Sequence, residues 1–538
     1  MNSIKHLIIV VFLFASYIGL SQDMNFYWAQ QYGSDEFASD IEAITTSKLN
    51  KVIAFTHFED EFTVETQNFI SEGGSDLLLF STNDEGELEW AKSFGGINNQ
   101  IAQKIQCDDD GHIYIMGKFN TSISIDNISI ESQGSFDMYI AKFSPSGELI
   151  WLNTYGGPNS ESLEAMVIRA QQIYLVGRFY NYTIIENDTI YSVDGTDVFL
   201  SKLNLDGEVI ETLSFGGESV DNVSSVDVDI YGNIFLAGDF YQNIQIGEET
   251  FEAGDLLGLY MAKFNNNFDL QWAYQFVGSD LKPGLLLAVD NIGNISLLGN
   301  FSDDLHFGNL VLQTADFDED IFMAHFSTDG EFNWAQRFYS NSMESPIALC
   351  VDRYGDSYLT GQYLDHIHFG DQTLQYNLCC GDPEIFFVKV NNQGGILHAE
   401  QLTGERSHIK SMDVPEVNQV ILAGQFSEEF NIGEIILHSP TSYNVFIAYY
   451  KDDTWLSQNR ITNSEITIHD QVFIHSLTLK DISENSNILV YNAQGQMIEE
   501  VFVSSSSIDL GQNWSKGLYF VQMLSVSKEL KTVKLIKQ

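Results

Sequence analysis

Basic residues are scarce in this chain: 25 Lys plus Arg stand against 75 Asp plus Glu over 538 residues, a formal charge of −50. Such a surface repels phosphate backbones, which excludes nucleic acid as a partner class. Proline is rare, with 7 residues, and the 41 glycines follow no triplet period, so collagen-like and proline-rich linker classes are excluded. Four cysteines are too few for a disulfide framework in a chain of this length. Cys107 and Cys350 lie in apolar runs and read as buried thiols, whereas Cys379 and Cys380 adjoin in a polar loop, as a vicinal disulfide or as two free thiols. Long apolar runs are missing beyond the N-terminus, so no transmembrane segment is expected in the mature chain. No Gly-x-Ser-x-Gly elbow, His-Glu-x-x-His pair or phosphate-binding glycine loop occurs.

What is present first is an export signal. Lys5 and His6 precede the apolar run LIIVVFLFASYI, and Gly19 and Ser21 place small residues before a cut at Gln22. Residues 1–21 therefore read as a signal peptide, with no Cys after it for a lipid anchor. The remainder is globular in composition, 44% hydrophobic and 13% aromatic.

An internal repeat dominates residues 22–456. EWAKSFGG (89–96) returns as IWLNTYGG (150–157) and VIETLSFGG (209–217), with weaker copies elsewhere. Aligned on the Trp position, the copies fall at Trp28, Trp90, Trp151, Glu211, Trp272, Trp334 and His398, spaced 60 to 64 residues apart. A run ending in Gly-x-aromatic keeps the same phase, as in YIMGKF (114–119) and FLAGDF (235–240). A second run follows it, as in DMYIAKF (137–143), DVFLSKL (197–203) and DIFMAHF (320–326). Each unit thus holds about four Ile-, Val-, Phe- and Tyr-rich runs between Gly/Asp/Asn turns, the signature of an antiparallel meander. Excursions such as SISIDNISIES (122–132) read as hairpin extensions that lengthen the unit. The expected fold is all-β: a seven-bladed β-propeller of four-stranded antiparallel blades, then a small C-terminal β-sandwich. A linear β-solenoid is the alternative. The ring should close by pairing 25–33 with 444–451, unless KDDTW (451–455) supplies the missing strand locally.

The Trp motif, the Asp-x-x-Gly turns and the Gly-x-aromatic runs resemble the bacterial seven-bladed propeller (SBBP) repeat family over residues 27 to about 452. That resemblance implies the fold and brings no catalytic residues. At the C-terminus, residues 457–538 resemble the type A sorting domain of the type IX secretion system of Bacteroidetes. The matching residues run from Val490 and Tyr491 through Gly495, then Gly517, Leu518, Tyr519 and Phe520, then Lys534 to Lys537. ITNSEITIHD (461–470) stands where a Pro-Asn-Pro-like opening is usual. The resemblance implies an address read by the secretion machinery, with delivery to the outer cell surface or the medium.

Candidate sites are few. Loops after the Trp-type strands carry Asp40, Glu161, Asp221 and Glu344, among other acids, and in a propeller they would converge on one channel mouth. Such a mouth would suit a cation, a basic peptide or a glycan. Asp316, Asp318 and Asp320 in DFDED form a candidate calcium loop, set against an ordinary charged loop. His366 and His368 could share a strand face toward zinc, set against an ordinary surface pair. Asp108/Gly111, Asp229/Gly232, Asp290/Gly293 and Asp352/Gly355 read as hairpin turns rather than metal loops. No motif demands a cofactor, and calcium is the one the acidic loops would suit. The functional expectation is an exported binding or adhesion module without enzymatic activity, taking a glycan or protein ligand at the propeller face. Its rivals are a polysaccharide lyase or hydrolase and a structural surface-coat component.

Overall fold

A computed structural model describes residues 26–33, 40–48, 51–186, 188–314, 319–376, 381–404, 406–451 and the strands of the C-terminal region. The signal segment 1–21, Cys379, Cys380, Asp316, Asp318, Gly495 and the stretch 452–455 lie outside the described residues. The chain divides into two units, 1–453 and 454–538. Among the described residues every regular element is a strand, and no helix is long and apolar enough to cross a membrane.

In the first unit, Ala43–Thr46, Val52–Phe58, Asp76–Thr82 and Leu88–Phe94 pair in that order as an antiparallel sheet. Gln100–Cys107, Ile113–Phe119, Asp137–Phe143 and Leu149–Tyr155 repeat the arrangement. So do Ser162–Arg169, Gln172–Ile185, Asp188–Asn204 and Val209–Phe215. Asp221–Val228, Ile234–Ile246, Glu249–Phe264 and Leu270–Leu281 follow, then Leu286–Val289, Ile295–Phe307, Glu319–Phe326 and Phe332–Phe338. Next come Glu344–Val351, Ser357–Tyr363, Glu384–Val390 and Ile396–Gly404. His408–Glu416, Gln419–Ile432 and Ile435–Lys451 take their fourth strand from the other end of the unit: Phe26–Tyr32 pairs from Phe26↔Tyr450 to Tyr32↔Val445. The strand pairing expected between 25–33 and 444–451 is therefore present. Pairing also runs across two junctions, Val277↔His306 and Thr403↔Asn431, which joins neighbouring sets into nine- and eight-stranded sheets.

The third strand of each set is the most deeply buried. DMYIAKF (137–143) has every residue covered, because sheets lie against both of its faces, and its sequence is accordingly apolar without alternation. The core lies between neighbouring sets: one cluster joins Tyr174, Val176 and Leu200 to Leu236, Phe240 and Tyr260. Another joins Trp28, Ile44 and Phe80 to Ile421 and Ile447. First strands also meet first strands, Ala43–Thr46 touching both Gln100–Cys107 and His408–Glu416.

The repeated Trp staples one set to the next. The indole N–H donates to a main-chain carbonyl in the following set's turn: Trp28 to Asp84 at 2.8 Å, Trp90 to Pro145 at 3.3 Å, Trp151 to Leu205 at 3.2 Å, Trp272 to Thr328 at 3.3 Å and Trp334 to Asn392 at 3.1 Å. Its ring lies on a glycine of that turn, and a Cβ on Gly147 would come within 2.8 Å of Trp90. Gly147 has φ 80°, the left-handed region where a side chain is also strained. Where Glu211 stands in place of the Trp, Phe268 takes the glycine's place at φ 58°. The Phe268 ring is buried, and Lys202 lies 4.9 Å over it while pairing with Glu211 at 3.2 Å. Two substitutions compensate each other across one junction.

In the second unit, Val472–Phe473, Leu530–Lys537, Gly517–Leu524, Ser486–Asn492 and Met497–Val503 form one sheet. Leu477–Lys480 and Ser507–Leu510 pair separately. Gly517 opens a strand, Tyr519 is buried, and Lys534 pairs with Phe520 in the backbone register.

Candidate functional site

The first strands of the sets bind each other through side chains. Thr46 N–H donates to Asp413 at 2.7 Å, and Gln103 donates to the Leu163 carbonyl at 2.6 Å. Gln106 accepts from Ile168 N–H at 2.7 Å, and Asp227 accepts from Val289 N–H at 2.8 Å. Short polar side chains here do the work of a sheet ladder between strands that do not pair directly.

These strands also gather charge. Water reaches Lys104, yet crowding by protein lowers its ammonium below the usual lysine range, with Cys350, Glu42 and Glu164 opposing the shift. Burial pushes Asp227 up, while Arg169 and two main-chain N–H groups hold it down. Burial likewise raises the Cys107 and Cys350 thiols, helped by Asp413 in both cases. Both stay protonated at neutral pH, which removes the thiolate a nucleophilic cysteine needs. Asp40 belongs to the same region. It pairs with Lys410 at 2.8 Å, and although burial acts against the Lys410 charge, this bond raises its pKa overall.

The other expected mouth acids sit elsewhere. Glu161, Asp221 and Glu344 are 1%, 0% and 1% exposed, so they face protein and not an open rim. Asp221 and Glu344 begin first strands and Glu161 immediately precedes one, and each is covered by the end of the preceding set. Glu161 accepts the Gly157 N–H at 3.1 Å, and Asp221 accepts the Gly217 N–H at 2.7 Å. Burial pushes both carboxyls up to about 7 despite those N–H groups, with Asp137 adding to the rise at Glu161 and Asp197 at Asp221.

Asp137 and Asp197 escaped the sequence reading, although the signal was there: an acid opens the runs at 137, 197 and 320 and stands 24 residues before Glu161, Asp221 and Glu344. Asp320 is buried too, and Arg337 pairs with it at 3.2 Å. His366 bonds Asp365 and His368 bonds Thr373, and among the described residues no three His, Cys, Asp or Glu side chains gather as metal ligands. The four Asp-x-x-Gly segments are hairpin turns: Asp229 Oδ1 accepts N–H from Tyr231 and Asn233, both at 2.9 Å, and the other three repeat this.

With the geometry in place, comparison with known proteins bears mainly on the C-terminus. Residues 463–538 match the secretion system C-terminal sorting domain. The chain is accordingly a surface or secreted protein, delivered across the outer membrane by type IX secretion, and this segment engages that machinery. No curated protein matches the chain. Among solved structures, it is similar to PorZ, a surface component of the type IX secretion system of Porphyromonas gingivalis. The identity is 9%, covering 93% of this chain and 81% of that one, with a TM-score of 0.25. It is also similar to virginiamycin B lyase from Staphylococcus aureus, at 9% identity, coverage of 78% and 98%, and a TM-score of 0.35. A third is the N10 neuraminidase-like protein of a bat influenza A virus, at 8% identity, coverage of 80% and 99%, and a TM-score of 0.33. Likeness at these scores carries no argument about activity.

Proposed function

We propose that residues 22–456 form a closed seven-bladed propeller of the SBBP type that acts at the cell surface as a binding or adhesion module. The in-phase repeats, the four-stranded sets and the strand exchanged between the unit's two ends support the architecture. The binding role rests on one observation: Lys104, Glu42, Glu164, Arg169, Asp227 and Asp413 come from five sets and are linked in a chain, Glu42 and Glu164 acting on Lys104, Lys104, Asp227 and Asp413 on Cys350, and Arg169 on Asp227, while the cysteines are held as thiols. Such a lining offers fixed charges to a glycan or an extended peptide and lacks an activated nucleophile.

The mature chain, screened on glycan and peptide arrays, is expected to bind a defined ligand class, and Lys104→Glu should abolish that binding without changing the melting temperature. Release of new sugar ends from a bound polysaccharide would replace this reading with the lyase or hydrolase one. For the route, removing residues 457–538 should leave a folded propeller in the periplasm. Normal amounts of the truncated protein outside the cell would contradict a separate sorting unit.

A further inference from the structure

Buried polar atoms nearly always find partners. At two junctions this chain leaves several without one among the described residues. Asp137 Oδ1 and Glu161 Oε1 are unpartnered at the first, and Asp197 Oδ1 and Asp221 Oδ1 at the second. The residues that carry them are at most 2% exposed. At each junction the two carboxylates flank a Gly-Gly pair. A Cβ on Gly156 would lie 2.5 Å from Asp137 Oδ1, and one on Gly157 would lie 3.2 Å from Glu161 Oε1. Gly216 stands equally close to Asp197 Oδ1, at 2.5 Å. Glycine keeps both cradles free of side chains.

Further oxygens border them. Thr183 Oγ1 is also buried and unpartnered, and its Cα would lie 3.4 Å from a Cβ on Gly157. The matching positions of neighbouring sets are Ile123 and Ile244, so a hydroxyl replaces an alkyl group only at this junction of the three. At the second junction, Asn243 Oδ1 would lie 2.7 Å from a Cβ on Gly217.

Other junctions handle the same position differently. At Asp76 the partner is the neutral Gln100, and both Asp76 Oδ1 and Gln100 Oε1 lie within 2.8 Å of a Cβ on Gly95. At Asp320 the Arg337 guanidinium supplies a positive charge at 3.2 Å. Among the described residues, only the Asp137–Glu161 and Asp197–Asp221 pairs combine two acids with neither device. Two buried carboxylates need a counter-charge or a proton.

We propose that each of these two pairs is a binding site for a hard divalent cation of the calcium class, which pins one set to the next. The donors are carboxylate, hydroxyl and amide oxygens, the set calcium prefers over softer metals. This inference stands apart from the axial binding reading, because no residue of the lining takes part.

The test uses the full mature chain, loaded with calcium, passed through a desalting column and assayed for metal content. Two equivalents of calcium are expected. Glu161→Gln and Asp221→Asn should each lose one, and a control at the exposed Glu218, Glu218→Gln, should retain both. Melting temperature should rise in calcium relative to chelator, and by less in magnesium or sodium at matched ionic strength. Should the variants fail to fold, the wild-type metal content and melting curves decide alone. A wild-type chain that retains no calcium and melts alike in calcium and chelator would overturn the proposal, leaving pockets that hold only water or a shared proton.

Discussion

The Asp76–Gln100 and Asp320–Glu344 junctions share a backbone plan with the Asp137–Glu161 and Asp197–Asp221 junctions, yet their charge differs. In the first group an amide or an arginine faces the buried acid; in the second, two acids meet. Three of the four share a hydrogen-bonded shell: Asp76, Asp137 and Asp197 accept main-chain N–H groups of Glu72, Gln133 and Val193 at 2.7 to 3.0 Å. The repeat thus fixes a socket, and each junction fills it with its own chemistry. Substitutions that move one junction's chemistry onto another test this view.

The largest effect is expected at Arg337. Arg337→Met strips the guanidinium from buried Asp320 and should cost about 3 kcal/mol in denaturant unfolding. Adding Asp320→Asn should restore most of that. A double variant no more stable than the single one would show that Arg337 acts through packing instead. Next comes Gln100→Glu, which builds a two-acid junction at Asp76. It should cost about 2 kcal/mol in chelator, and calcium should recover the loss; indifference to calcium would separate this junction from its neighbours. A smaller effect belongs to the staples. Trp272→Phe keeps an aromatic ring but deletes the N–H donated to Thr328, at about 1 kcal/mol.

The smallest is a pH effect at a turn. Asp229 and Asp290 accept an amide N–H from Asn233 and Asn294, whereas Asp352 has the acid Asp356 at the matching place. Burial, then Asp356, raises Asp352 to about 6, with Lys389 opposing. A raised carboxyl binds its proton more tightly when folded, so this contribution is complete below about pH 4 and fades as pH climbs toward 6. Asp356→Asn should flatten that stretch of the stability profile by about 1 kcal/mol. An unchanged slope would mean that burial alone sets Asp352.

Much of this design was legible in the chain. The spacing of Trp, Gly-x-aromatic and Asp-x-x-Gly marks strands and turns because each motif meets a local geometric demand: an indole over a glycine, a φ above zero, an Asp bonding its own turn. The exchanged strand was legible because the first unit begins one strand early and the last ends one short. What escaped was burial of acids. Glu161 stands in the polar segment GGPNSESLE, which reads as solvent-facing, and only the neighbouring set hides it. Cover supplied by the end of the preceding set leaves no local mark at the acid itself. The pairing of Glu211 with Phe268 was hidden for the same reason: each looks like decay of a motif until the two are seen at one junction.

The strand Phe26–Tyr32 finds its partner, Val445–Tyr450, at the far end of the same unit. It must wait as a lone ribbon while more than four hundred residues follow, and closing so long a loop is slow. Until it docks, the edge of Ile435–Lys451 is bare, and a bare edge recruits foreign strands. Maturation should therefore have a distinct final step in which the latecomer's seat is taken by the earliest arrival. An added peptide copying residues 26–32 would compete for that seat during refolding and then lose access once the native strand has docked.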